Sequence, residues 1–276
     1  MRETAFKPVG PYRLSLMCRR SLWSAPLPDG GQAHAWQRSD GSVVVRAPDD
    51  AAMELARFML ALDDDTTDFH KLFARDPLLG PAVRALVGWR PLRLATVTHA
   101  ALRAICGQLI ESRRAREIER AVLRTCGQTV ATLPALGRLS PAELCACGLS
   151  GSRAATLVRL CRSLDLERLR QHPSSAVVAR LSRERGIGPW SVGVIALEGL
   201  GRYDVGLVGD LGLIKLASAL TGRWVEAAET AGLLAPYGEW QGLAGELLLV
   251  GWSKGLVPGA DPDVARRTRL RPRKAA

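Results

Sequence analysis

The sequence has no long apolar run. Across 276 residues its most hydrophobic stretches, such as residues 191–197, fall well short of the roughly 20 apolar residues that a bilayer span needs. The opening MRETAFKPVGPYRL lacks the apolar core of a secretory signal. A soluble, cytoplasmic protein with no membrane partner is therefore expected. Paired metal-ligand spacing is also missing: of Cys18, Cys106, Cys126, Cys145, Cys147 and Cys161, only Cys145 and Cys147 lie close together. Reduced thiols, and no metal, cluster or other cofactor, are the expectation. Acidic charge is scarce relative to basic, 27 Asp and Glu against 38 Lys and Arg, giving a net charge of +11. Such a balance favours a polyanionic partner, which could be nucleic acid, a ribosome or a membrane surface. Disorder is excluded for most of the chain by a 47% hydrophobic composition, and no internal repeat is visible.

What is present falls into two kinds of pattern, an α+β arrangement. Residues 13–18, 33–37 and 42–47 read as short strands, with PLPDGG and RSDGS between them as turns. After Pro48 the apolar spacing becomes helical, with Met53, Leu55, Phe58, Met59 and Leu62 on one face before the acidic DDDTTD. The remainder predicts amphipathic helices over residues 96–111, 114–126, 150–164, 174–183, 189–199, 210–220, 225–233 and 239–250. Ser140-Pro141 with Glu143 opens a further short helix and Gly148 closes it. The predicted organisation is a small antiparallel sheet domain over residues 1–88, an all-helical body over 89–262 and a basic tail over 263–276. The tail's RRTRLRPRKAA, from Arg266, reads equally as a solvated terminus or a DNA-contacting arm.

The segment RERGIGPW, residues 183–190, holds a tight turn between two helical patterns. Its glycines permit positive φ and close backbone approach, and Pro189 suits the first position of a helix. A helix start of this kind attracts phosphate through unpaired N–H groups and the helix dipole. Arg185, Gly186, Ile187, Gly188 and Trp190 are thus candidates for holding a DNA backbone without reading sequence, although the turn also fits a plain helix connection. One helix later, Asp210 stands at another helix start, where a carboxylate can serve simply as an N-cap.

Taken together, GIGPW, the helix after it, Asp204-Val205 and DLGL at 210–213 resemble the helix-hairpin-helix DNA glycosylases, in particular the 3-methyladenine DNA glycosylase II branch. The resemblance extends to ALRAICGQL at 101–109, LCACGLSGSRAA at 144–155 and the link at 60–83, so it covers most of the chain from about residue 60. It implies a small sheet domain followed by an all-α helix-hairpin-helix body with the hairpin near 181–199. It also implies a monomer acting on double-stranded DNA with damaged bases, associated with the nucleoid.

The implied chemistry is base eversion and hydrolysis of the N-glycosidic bond. Asp210 would stabilise the positive charge that develops on the sugar and orient water; Asp204 would organise its loop. Related enzymes that also cleave the strand carry a lysine just after the hairpin, where this chain has Trp190, so no lyase activity is expected. Trp190 would line the base pocket, with Val194, Leu247 and Tyr237. An indole suits a cationic alkylated base, though a core role for Trp190 is the alternative. Gln108 and Leu109 would enter the gap left by the everted nucleotide, unless Leu109 joins the apolar stripe of Leu102 and Ile105.

The chain departs from the branch in three places. Val194 replaces an aromatic residue, Glu246 and Leu247 stand where a stacking tryptophan is expected, and Glu111 replaces a small hydroxyl residue. These leave open an oxidised, deaminated or bulkier lesion, with Tyr237 or Trp240 supplying the missing ring, or a module of the same fold that binds lesions without excising them.

Overall fold

The computed structural model describes residues 1–18, 21–108 and 110–260. The chain opens with four strands, β1 (Arg2–Phe6), β2 (Leu22–Pro26), β3 (Gln32–Gln37) and β4 (Val43–Ala47), in an antiparallel sheet of order β1-β4-β3-β2. Turn chemistry sets the two hairpins. Gly30 and Gly41 adopt φ of +87° and +86°. Asp29 and Asp40 each accept a hydrogen bond from the backbone N–H two residues on, at 2.9 Å in both cases. Trp23, Ala25, Ala33, Ala35, Val43, Val45 and Ala47 are buried on the sheet's inner face. Helix α1 (Asp50–Met59), capped by Asp49, lays Met53, Ala56 and Met59 into the same core.

The remaining α-helices among the described residues follow in order. They are α2 (Thr67–Phe73), α3 (Gly80–Ala85), α4 (Val97–Gly107), α5 (Ser112–Thr125), α6 (Leu133–Gly137), α7 (Pro141–Ala146), α8 (Gly151–Ser163), α9 (Ser174–Ser182), α10 (Pro189–Val194), α11 (Leu211–Thr221), α12 (Thr230–Leu234) and α13 (Gln241–Ser253). The architecture is α+β, a small antiparallel sheet followed by a helical body. α10 runs on into a π-helical turn, Ile195–Gly199, so the apolar stretch expected at 189–199 is one continuous rod. α4 is nearly all buried and forms the axis of the larger core, in contact with α5, α8, α10 and the π turn. The Ser140–Glu143 capping box forms as expected, and Gly148 at φ +103° ends α7.

Two expectations about the N-terminal region change. Residues 13–18 form no strand: Leu14–Leu16 is a single 3-10 turn, with Arg13 N–H bonded to Gly88 O at 2.8 Å and Leu14 N–H to Gln37 Oε1 at 2.9 Å. The alternating Leu-Ser-Leu pattern is satisfied by dropping Leu14 into the sheet's core. The strand paired with β3 is instead β2, which begins at Leu22, and β1 is a further unexpected strand on β4, an exposed edge whose RETAF sequence has no apolar alternation to reveal it. The apolar core changes between Leu62 and Phe69, so α2 and α3, expected within the 1–88 unit, pack with the helical body.

The two cores are bolted together by buried arginines. Arg90, 0% exposed, donates to the carbonyls of Ala61, Val9 and Pro11. Arg93 and Tyr203 share the carboxylate of Asp64. Burial of these guanidiniums is offset by the hydrogen bonds of their Nη groups, while Nε of each is left without a partner.

Candidate active site

Helices α9 and α10 meet at the turn 183–188. Ile187 is buried and anchors the turn from beneath, while Gly186, Gly188 and Pro189 are exposed above it. Gly186 has φ +87° and its carbonyl accepts from Gln108 Nε2 at 2.8 Å. Gly188 differs: its φ of −95° is open to any residue, and no atom lies within 4 Å of where a side chain would begin. Local geometry therefore does not require glycine at this position. With Pro189 at the first helical position, the free N–H groups of α10's first turn lie at an exposed helix start.

Trp190 turns the other way. Its ring crosses the end of α4, where only Gly107 leaves room: a side chain there would begin 2.7 Å from the indole. Indole Nε1 donates to Asp210 Oδ2 at 2.9 Å. The other oxygen, Oδ1, accepts from Gly212 and Leu213 N–H at 2.7 and 3.1 Å and so caps α11. Asp210 is thus an N-cap, yet half of its carboxylate is aimed by an aromatic ring instead of a backbone amide. Both residues line one large cavity of about 1540 Å³, with the hairpin at its rim and the starts of α5, α8 and α11 around it. That exceeds the roughly 300–1,000 Å³ of a small-molecule pocket and suits a segment of polymer.

The cavity carries a charged network that sequence reasoning did not find. Glu198, on the π turn, accepts from Arg103 Nη1 at 2.6 Å. Arg103 also donates to Glu119 through Nη2 and Nε at 3.0 and 3.3 Å, and Glu119 is reached by His99 Nε2 and Arg116 Nη1, each at 3.0 Å. Burial opposes ionisation of Glu119, but the hydrogen bonds of His99 and Arg103 and the charges of Arg103 and Arg116 outweigh it and hold the carboxyl at about 2. The available signal was helical spacing. Trp190, Val194 and Glu198 recur every four residues, and all three line the cavity. Arg103 likewise stands one turn before Gly107 on α4.

Trp190, Val194, Asp210, Gln108 and the turn residues Gly186, Ile187 and Gly188 all face this cavity. Gln108 is tied down: besides Gly186 O, its amide donates to Ser191 Oγ at 3.0 Å, and its own carbonyl accepts from Arg153. Arg185 is exposed on the turn, its carbonyl held by Thr156 Oγ1 at 3.3 Å. Leu109 lies outside the described residues, as does the tail from residue 263.

Two pocket candidates are corrected. Leu247 is 1% exposed within the core, and Tyr237 is 3% exposed, packed edge-on against Phe73 at 5.2 Å between ring centres. Trp240 stacks on Tyr203 at 6.0 Å and meets Phe69. Tyr237 and Trp240 thus gather around α2 and supply no ring to the cavity. Asp204 also stands apart: its carboxylate accepts from Ser174 Oγ at 2.9 Å and ties the loop to α9. Among the described residues no group of three or more His, Cys, Asp and Glu is placed to hold a metal, and no helix is long and apolar enough to cross a membrane.

The sheet-bearing N-terminal unit and the helical body built on α4, with its glycine hairpin and the aspartate at the following helix start, make a fold shared with solved DNA glycosylases. The chain is similar to the DNA-3-methyladenine glycosylase of Bacillus subtilis (strain 168), 23% identical over an alignment 200 residues long that covers 66% of this chain and 66% of that protein. The 3-methyladenine DNA glycosylase of Archaeoglobus fulgidus superposes with a TM-score of 0.75 at 18% identity, over 92% of this chain and 99% of that one. The 8-oxoguanine glycosylase/lyase of Clostridium acetobutylicum, in complex with DNA, gives 0.72 at 16% identity, over 93% and 99%. No protein-family model matches the chain.

Proposed function

We propose that this chain is a monofunctional DNA glycosylase that hydrolyses the N-glycosidic bond of an everted alkylated base of the 3-methyladenine type, leaving an abasic site in duplex DNA. The hairpin's exposed amides hold the backbone beside the lesion. The base enters past Trp190, whose ring face attracts the cationic purine, and the sugar carbon comes to rest against Asp210. As the C1′–N bond breaks, the bonding pair leaves with the base, which is thereby neutralised, and positive charge gathers on the sugar. Asp210 stabilises that charge and takes a proton from the water that adds to C1′. At about 4 Å and an effective dielectric of 20 the attraction is about 4 kcal/mol, or about 10³ in rate.

The observation that carries this reading is the split use of Asp210. One oxygen is fixed by the start of α11 and the other by the Trp190 indole, so the charge is held in place before substrate arrives. The similarity to 3-methyladenine glycosylases supports the choice of lesion, and tryptophan in the lysine position supports hydrolysis without strand cleavage.

The test is Asp210→Asn on a duplex carrying 7-methylguanine, with single-turnover base release followed by alkaline cleavage. Asparagine keeps the α11 cap through its oxygen but turns an N–H donor toward the indole N–H, costing about 1–3 kcal/mol of stability. Trp190→Phe, which removes that hydrogen bond and retains the charge, is the control. Loss of about 10³ in Asp210→Asn and a much smaller loss in Trp190→Phe support the assignment. Wild-type rates in Asp210→Asn leave Asp210 as a cap alone, and wild-type protein that binds the lesion without releasing it identifies a recognition module.

A further inference from the structure

With Tyr237 and Leu247 in the core, Trp190 is the one aromatic ring lining the cavity among the described residues, too little to select a cationic base by ring faces alone. Glu198 lies deeper on the same side as Trp190 and Val194. Its side chain is 21% exposed; Oε2 is taken by Arg103, and among the described residues no donor reaches Oε1. The guanidinium that holds it is itself balanced by Glu119, so the network presents the cavity with a bound acceptor and no surplus positive charge.

We propose that Glu198 determines which base the cavity accepts: its free carboxylate oxygen takes a hydrogen bond from an N–H on the edge of an everted purine and favours one made cationic by N-alkylation. This rests on the glycosylase reading and names how that site would choose its substrate. Charge here does what stacked rings would otherwise do. An oxygen that can only accept rejects a base edge lined with acceptors, and its negative charge discriminates between a cationic base and a neutral one of the same shape. Glu246 stands on α13 one turn before the cavity-lining Leu249, half-buried and not itself among the lining residues. Burial, with the charges of Glu198 and Asp210 adding to it, pushes its carboxyl up to about 8. The acidic side chains that line the cavity are Glu198, Asp210, Glu111 and Glu119; Glu119 is occupied by Arg103 and Arg116, and Glu198 keeps a free oxygen deep on the Trp190 side.

The test separates binding from excision by using free bases. Quenching of tryptophan fluorescence at pH 6 reports affinity for 7,9-dimethylguaninium, a cation, and for neutral 9-methylguanine, with wild type, Glu198→Gln and Glu198→Asp. Glutamine preserves an acceptor for Arg103, and thermal melting confirms the fold. We expect Glu198→Gln to weaken the cation by about 10- to 100-fold while leaving 9-methylguanine unchanged, and aspartate to restore part of the preference. Release of 7-methylguanine from DNA should fall in parallel, with release of neutral hypoxanthine unaffected. Equal weakening of both ligands, unchanged affinity for both, or no preference in wild type overturns the assignment. Wild type that prefers the cation but excises nothing from DNA leaves Glu198 as the selector and defeats the glycosylase reading instead.

Discussion

The two glycines of the hairpin should fail for different reasons when each is replaced by alanine. At Gly186 the backbone is left-handed, φ +87°, which costs a residue with a side chain about 1–2 kcal/mol. The new methyl would also sit 2.5 Å from Thr156 Oγ1, a hydroxyl already bonded to Arg185 O. Together these give a loss of about 2–4 kcal/mol. At about 2–4 °C per kcal/mol for a chain of this size, the melting temperature should drop by roughly 4–16 °C. Gly188→Ala meets neither penalty and should melt within about 0.5 kcal/mol of wild type. Its effect should appear in binding, because the methyl stands where a phosphate would approach the helix start. Affinity for damaged and undamaged duplexes should fall alike, and the slope of log affinity against log salt should flatten. Circular dichroism melts and fluorescence anisotropy over a salt series read the two effects separately. A Gly186→Ala protein as stable as wild type, or a Gly188→Ala protein with unchanged affinity for every duplex, would refute the reasoning for that position. A double change with Thr156→Ala should recover the steric part of the Gly186 loss and none of the dihedral part.

Two further outcomes follow from the charged groups. Lys215, exposed on α11, is the single lysine among the described residues lining the cavity, and borohydride should trap no adduct between it and an abasic-site duplex; a trapped adduct that disappears in Lys215→Ala would convert the assignment to a glycosylase with lyase activity. Glu119 and Glu246 should shape stability against pH with opposite signs. Held at about 2 against an ordinary 4.5, Glu119 contributes about 3 kcal/mol that is present above pH 4.5 and lost as pH falls toward 2. Glu246, raised to about 8, keeps a proton that the unfolded chain releases, so it lowers stability as pH climbs from 4.5 to 8. Chemical denaturation should find Glu246→Gln more stable than wild type at pH 8 and nearly equal at pH 4; a constant difference across that range contradicts the raised titration of this carboxyl.

The hairpin was legible in the sequence because its chemistry is local: glycine, proline and two amphipathic helices within twenty residues determine a turn wherever they occur. So was Asp210 as a helix start. What the sequence could not supply was the partner on the far side. Trp190 meets Asp210 because α10 and α11 are brought together by the loop between them, and Gly107, remote in sequence, clears the space. The assignments of Tyr237 and Leu247 failed for a related reason: on α13 and the turn before it, apolar residues are distributed all round, so no stripe told cavity from core. Strand β1 was invisible because an exposed edge strand carries no alternation, and Leu14–Leu16 imitated a strand because leucines two apart can also be seated by a 3-10 turn.

The central claim is that Asp210 is built to face a cationic sugar, and the measurement closest to it compares two abasic-site analogues in otherwise identical duplexes. One carries a pyrrolidine, protonated at the position of the sugar ring, and the other a neutral tetrahydrofuran. Because a charged mimic of the transition state is bound more tightly than its neutral counterpart, wild type should prefer pyrrolidine by at least about 10²-fold. Asp210→Asn should bind both alike. An equal preference in the two proteins, or none in wild type, would contradict the account.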